Sequence, residues 1–295
     1  MTLGMILGVL EQGLIYGILA LGLLITYRIL DFPDLTVDSS FPLGAAVSAT
    51  LTLQGMAPWL TLVCGMLAGA AAGLVTGLIH VKCKVRDLLS GIITMTGLYS
   101  INLHIAGKAN VPLFSGETLF KNAFTKSLPG WISPYATALI VLVIALLAKL
   151  LLDAFLRTKA GFLLRAAGDN PAVVTTLSRD QGMVKILGLI IANGLVALAG
   201  AVMCQQQRFF DISMGTGTMV IGLASVIIGT NLFKGVSFMR STTMVIIGSI
   251  LYKACVSVAI SLGLEATDMK LITAVLFLLI LVASNTRRKK VRIHA

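Results

Sequence analysis

Residues 60–79 read LTLVCGMLAGAAAGLVTGLI, a run without a single charged side chain. At about 1.5 Å per residue, a helix of that length covers roughly the 30 Å hydrocarbon core of a bilayer. Gly65, Gly69, Gly73 and Gly77 recur at every fourth position. That spacing puts them on one helix face and lets a neighbouring backbone come close. Gly13 and Gly17 repeat the spacing in the first apolar run. The stretch predicts a membrane-spanning helix inside a tightly packed bundle.

The rest of the chain extends the pattern. Of 295 residues, 57% are hydrophobic and 12% charged, about half the charged share of a soluble domain. Mean hydropathy is +0.96. Nine apolar segments are expected, at about 3–27, 41–58, 60–79, 88–106, 134–156, 184–204, 217–233, 241–262 and 269–285. They are long enough to be helices rather than barrel strands. The predicted fold is an all-α integral membrane protein, a single transmembrane domain over 1–295. The seventh segment is short and glycine-bearing, as a broken or re-entrant helix would be. The run from Leu3 has no basic flank before it and is too long for a cleaved leader, so it is expected to remain as the first span.

Net charge is +11. On a soluble protein this would suggest nucleic acid; here it follows the positive-inside bias, and no nucleic-acid partner is expected. Alternating the nine segments puts 17 of the 23 basic residues on one face, among them Arg28, Lys82, Lys84, Arg86, Arg157, Lys159, Arg165 and Arg240. That face is predicted to be cytoplasmic, with the N-terminus outside, the C-terminus and its basic tail 286–295 inside, and a large outer loop at 107–133. Trp131 and Tyr135 stand where interfacial anchors belong. The four cysteines lack metal or disulfide spacing and are expected to be small buried side chains. No metal site is predicted.

Four polar places interrupt the apolar pattern. The first is the cytoplasmic stretch 157–183, where Phe162, Leu163 and Leu164 stand among basic residues. It offers a hydrophobic knob to a partner, or alternatively an amphipathic helix lying on lipid. Gly161 and Gly168 are expected to bracket a short helix over Phe162–Ala167, with Asp169, Asn170 and Pro171 capping or starting the next. The second runs Asp31-Phe-Pro-Asp34-Leu-Thr36-Val-Asp38-Ser39-Ser40-Phe-Pro42. Pro33 and Pro42 break helices, and Asp38 or Ser39 can cap the one that follows. Irregular polar backbone between spans suits a solute path; a solvated capped loop fits equally. Asp31 and Asp34 also echo the acidic motifs of Mg²⁺-dependent transferases, although no second acidic cluster accompanies them.

Third is Lys253, inside an apolar run, where a charge costs about 2.5–3.5 kcal/mol unless paired or snorkelling. Asp211 and Glu265 are candidate partners. Fourth is the outward elbow Gln205-Gln-Gln-Arg208-Phe209-Phe-Asp211, a plain loop or a docking point for an external partner. The chain has no phosphate loop, nucleophile elbow or metal-ligand spacing. Catalysis by this chain is therefore not expected, and a gradient-driven transporter or channel stays open as a reading.

Four blocks in order resemble the permease subunits of ABC importers of the branched-chain amino acid and ribose type. They are Leu30 to Val47, Gly65 to Val85, Thr158 to Ala172 and Gly217 to Gly229. The Asp-Phe-Pro-Asp-Leu-Thr-Val-Asp form resembles the subgroup paired with tryptophan- or tyrosine-type binding proteins. This chain has Ser39-Ser40 and Thr230-Asn231 where that subgroup commonly has Gly-Ser and an acidic residue. The resemblance implies a multi-pass subunit of the bacterial cytoplasmic membrane, not itself an enzyme, that imports an amino acid. It implies cytoplasmic ATPase subunits carrying ATP and Mg²⁺, an external binding protein and a second permease chain, most simply an identical one. It makes Gly161, Phe162, Leu164, Arg165, Ala166, Ala167, Gly168, Asp169, Asn170 and Pro171 the coupling segment. Asp31, Asp34, Thr36, Asp38, Ser39 and Lys253 are then candidates for the pathway, and Arg208, Phe209 and Asp211 for outer docking.

Overall fold

The computed structural model describes residues 3–122, 129, 133–169, 180–233, 236, 238–262 and parts of 271–282. Its helices are α1 (Leu3–Leu23), α2 (Val37–Leu53), α3 (Pro58–Val81), α4 (Asp87–Ala106), α5 (Ala136–Leu156), α6 (Lys159–Asp169), α7 (Gln181–Gln207), α8 (Thr218–Leu232) and α9 (Ser241–Ser261). A π-helical turn, Leu24–Ile29, prolongs α1. Seven helical stretches of the described residues are long and apolar enough to cross a membrane: Gly4–Ile29, α3, α4, α5, α7, Ile212–Leu232 and α9. The ninth expected segment, 269–285, and the tail 286–295 lie largely outside the described residues.

α7 is the axis of the bundle, with nearly four-fifths of its apolar window buried. The glycine ladder of α3 lies along it. Gly65 faces Ala201 and Gly44, Gly69 faces Asn193 and Ala197, Gly73 sits on the Leu189 carbonyl, and Gly77 meets Ile186. Any side chain at Gly69 or Gly73 would enter the α7 backbone. α2 crosses the other flank of α7 through two reciprocal glycines: Gly44 on the Ala197 carbonyl and Gly200 on the Phe41 carbonyl. Gly13 and Gly17 seat α1 against Ile250, Ser249 and Ile246 of α9, and Ser249 Oγ donates to the Gly13 carbonyl at 2.6 Å. Lipid tails are as apolar as leucine, so this close packing and a few interhelical hydrogen bonds, each about 0.6 kcal/mol, hold the bundle together.

Several sequence expectations are corrected. The second segment begins at Val37, not 41, ends at Leu53, and carries Pro42 inside it. Proline removes the hydrogen bond to residue 38; Gly215 packs against the freed Asp38 carbonyl and the Pro42 ring. At 17 residues α2 is about 25 Å long, shorter than the roughly 30 Å hydrocarbon core of a bilayer. The all-α class holds, with one short two-stranded ribbon added to it. β1 (Asn110–Pro112) pairs antiparallel with β2 (Phe209–Asp211), tying the segment after α4 to the elbow after α7. Of the cysteines only Cys204 is fully buried, while Cys83 and Cys255 are exposed.

Candidate functional site

Within the polar stretch 157–183, residues Lys159–Asp169 form α6, and both glycines lie within the helix instead of bracketing it. Thr158 caps its start: Thr158 Oγ1 accepts from Gly161 N at 3.3 Å. Gly161 rides over the Phe155 carbonyl and Leu156 Cα, and Gly168 rests on the Ile29 carbonyl. Both positions need glycine because backbone stands where a Cβ would be. Leu164 is fully buried. With Leu30 it covers Gly188 of α7, where a methyl group would stand 2.7 and 2.6 Å from the two side chains. Ala167 is buried too, whereas Phe162 is 64% exposed and Arg165 is exposed. One face of α6 is thus fused to the π-helical turn and α7, and the other presents Phe162 and Arg165. Asp169 ends the helix; Asn170 and Pro171 lie outside the described residues.

Beyond the π-helical turn the chain runs irregularly from Leu30 to Thr36. Asp31 is exposed, with a left-handed φ of 52°. Asp34 is fully buried. Its Oδ1 accepts from Thr36 N at 2.9 Å and its Oδ2 from Asn193 Nδ2 at 2.7 Å. Asn193 Oδ1 accepts from Ser40 Oγ at 2.7 Å, and Thr36 Oγ1 meets Thr76 Oγ1 at 2.9 Å. Asp34 and Thr36 are therefore braces joining the start of α2 to α3 and α7.

Asp38 caps another helix, not its own. Asp38 Oδ1 accepts from Met219 N at 2.8 Å and Thr218 Oγ1 at 3.1 Å, and Oδ2 accepts from Gly217 N at 3.2 Å. The seventh expected segment, 217–233, is the unbroken helix α8, preceded by a 3₁₀ turn at Ile212–Gly215 and a left-handed Gly217 (φ 83°). A carboxylate at this N-terminus satisfies orphan amides and the helix dipole together. Beside it a cavity of about 610 Å³ is lined by Asp38, Ser39, Thr96, Tyr99, Asn102 and Thr216, among others. Ser39 Oγ donates to the Met95 carbonyl at 2.8 Å, and Asn102 Nδ2 donates to the Ser39 carbonyl at 3.0 Å. That bond fixes the Asn102 amide orientation and leaves its buried Oδ1 without a partner.

Lys253 is buried and turned toward α1. Its Nζ lies 4.0 Å from the Tyr16 ring centroid and 3.4 Å from Gln12 Oε1. Asp211 is not its partner, and Glu265 lies outside the described residues. Asp211 instead accepts from the Ser213 hydroxyl and amide and from Asn110 Nδ2. The Ser213 hydroxyl, followed by those other donors, holds its carboxyl below the usual aspartate range. Arg208 stands 5.6 Å over the Phe114 ring and donates to the Phe114 carbonyl at 2.6 Å. Phe209 is about one-third exposed.

Sequence reasoning missed Asn193, Asn102 and Asp153. Asn193 and Asn102 were visible as amides within apolar runs, where an unpaired polar group is costly. Asp153 anchors α5 to the start of α9, accepting from Lys149 and Arg240 at 2.9 Å each and from Thr242 at 2.7 Å. Its four-residue spacing from Lys149 was the signal.

Residues 5–284 match the family described as branched-chain amino acid transport system / permease component. The chain is 46% identical over 280 residues to a tyrosine transport system permease protein of Clostridioides difficile, covering 95% of this chain and 91% of that one. It is 30% identical over 286 residues to an uncharacterized protein of Rickettsia prowazekii, covering 95% and 97%. It is 29% identical over 226 residues to a probable branched-chain amino acid transport permease protein of Methanocaldococcus jannaschii, covering 72% and 70%. No solved structure matches it.

Proposed function

This chain belongs to the branched-chain amino acid transport system / permease component family, and from that premise we propose that it is the membrane subunit of an ATP-driven importer of an aromatic amino acid. The tyrosine permease relative supports the aromatic class. In this reading two permease chains, identical in the simplest case, cooperate with two cytoplasmic ATPase subunits that bind ATP and Mg²⁺. A binding protein delivers the solute from outside. The chain crosses the membrane nine times, with the N-terminus outside and the C-terminus inside. The basic ends of Gly4–Ile29, α5 and α9, bearing Arg28, Arg157 and Arg240, share the face that carries α6. The β1–β2 ribbon, with Arg208, Phe209 and Asp211, meets the binding protein.

The seating of α6 carries the proposal. Phe162 and Arg165 face a partner, while Gly168 and Leu164 press on Ile29, Leu30 and Gly188 without slack. A push on α6 therefore reaches the π-helical turn, a form of helix often found at functional sites. It passes through the braced 30–36 segment to α2, and through Asp38 to the start of α8. That start borders the cavity at Ser39, Tyr99 and Asn102. The free Asn102 Oδ1 suits an amino acid's ammonium group, and Tyr99, 51% exposed, offers an aromatic face.

Affinity purification in mild detergent tests the assembly. Co-elution of an ATPase and a binding protein, with ATP-dependent uptake of tyrosine or tryptophan into vesicles, is the expected result. Uptake driven by an ion gradient without ATP would replace the proposal with a secondary transporter.

A further inference from the structure

A second cavity, of about 490 Å³, opens where three spans end on the basic face. Its walls carry Arg28 from the π-helical turn, Arg157 after α5, Arg165 from α6 and Arg240 before α9. One carboxylate, Asp153, stands among them. It is already engaged by Lys149, Arg240 and Thr242. Arg28, Arg157 and Arg165 thus have no acidic partner among the described residues. The floor is apolar, formed by Leu24, Leu156 and Met239. Just outside it, Phe238 is 95% exposed and Val236 is exposed as well.

We propose that this cavity binds the headgroup of an anionic phospholipid from the cytoplasmic leaflet, with its phosphate held by Arg28, Arg157 and Arg165. Guanidinium forks match phosphate oxygens in pairs of hydrogen bonds. Basic pockets between span ends on the cytoplasmic side recognise lipid phosphates in this way. The apolar floor suits the glycerol and first acyl carbons, and the exposed Phe238 has the chemistry of an interfacial aromatic anchor. A soluble anion would leave both features without a role. Because Arg165 and Arg28 belong to α6 and to the turn it presses on, a bound phosphate bridges α1, α5 and α6 across the route proposed for coupling.

The test reads lipid occupancy, not uptake, so its failure is separable from failure of the transport reading. The purified chain would be titrated by native mass spectrometry with phosphatidylglycerol, phosphatidylcholine or inorganic phosphate. Phosphatidylglycerol should be retained at concentrations at least tenfold below phosphatidylcholine. R28Q/R157Q should weaken that retention about 30-fold, converting about 1 kcal/mol per basic residue at about 1.4 kcal/mol per tenfold. Should that variant fold poorly, phosphatidylglycerol with a photoreactive headgroup should label wild-type peptides containing Arg157 or Met239. Equal retention of both lipids, labelling confined to other peptides, or phosphate displacing the lipid at equal concentration would overturn the proposal. So would a variant that loses a co-purifying ATPase with its lipid retention intact.

Discussion

Replacing Asp38 by alanine removes three hydrogen bonds at once from the half-buried start of α8, those given by Met219 N, Gly217 N and the Thr218 hydroxyl. The Thr218 hydroxyl also bonds the Gly215 carbonyl at 2.9 Å and keeps a partner; the two amides do not. Losing a capping side chain costs about 1 kcal/mol, and each buried amide left unmet costs about 1–3 kcal/mol. Local relaxation recovers part of this, so the expected loss is about 2–3 kcal/mol. At roughly 2–4 °C per kcal/mol, the thermal midpoint in detergent should fall by about 4–12 °C. Asp38→Asn separates geometry from charge. An amide oxygen can still accept from Met219 N and Thr218 Oγ1, so about half the stability should return. Fluorimetric unfolding of the two variants beside wild type measures both steps. An alanine variant that melts within 1–2 °C of wild type would show that Asp38 does not hold α8, and the route from α2 to α8 would fail with it.

Three further outcomes follow from the packing and the charges. Gly168→Ala drives a methyl group into the Ile29 carbonyl, an overpacking of about 1–3 kcal/mol; ATP-dependent uptake should fall at least tenfold with membrane insertion, read by fractionation, unchanged. Gly73→Ala meets the Leu189 carbonyl while Gly97→Ala meets nothing within 4 Å, so only the former should lower the thermal midpoint. Asp211 has a depressed pKa, so its support of the outer ribbon is full above the ordinary aspartate value of about 3.9 and fades as pH falls through its lower folded value. Hydrogen exchange at the Asn110 and Val111 amides, corrected for intrinsic rates, should stay constant down to about pH 4 and speed up below it; constant protection to pH 2 would contradict this.

The apolar lengths and the glycine ladder of α3 were legible in the sequence because each is a local pattern with one physical reading. The bounds of α2 were not, since Pro42 inside a helix is tolerated only when a neighbour, here Gly215, closes on the freed carbonyl. Asp38 had the residue type of a cap, but which helix it caps depends on a contact across about 180 residues. Leu164 and Phe162 look alike as apolar residues on a cytoplasmic segment. Only the packing of α6 on Gly188 shows that the first faces inward and the second outward. Lys253 was recognisable as an anomaly, yet its partners are an amide and an aromatic face, which are too common in sequence to nominate.

The place of Lys253 has a bearing on how the protein is made. Gln12 and Tyr16 leave the ribosome early, and the lysine that joins them belongs to a helix synthesised more than two hundred residues later. Until then α9 carries a charge that lipid does not welcome. Its stable insertion thus depends on an already assembled α1, so the bundle closes on itself late. A chain cut short before Ser241, or one whose first span is displaced, never acquires that closing contact.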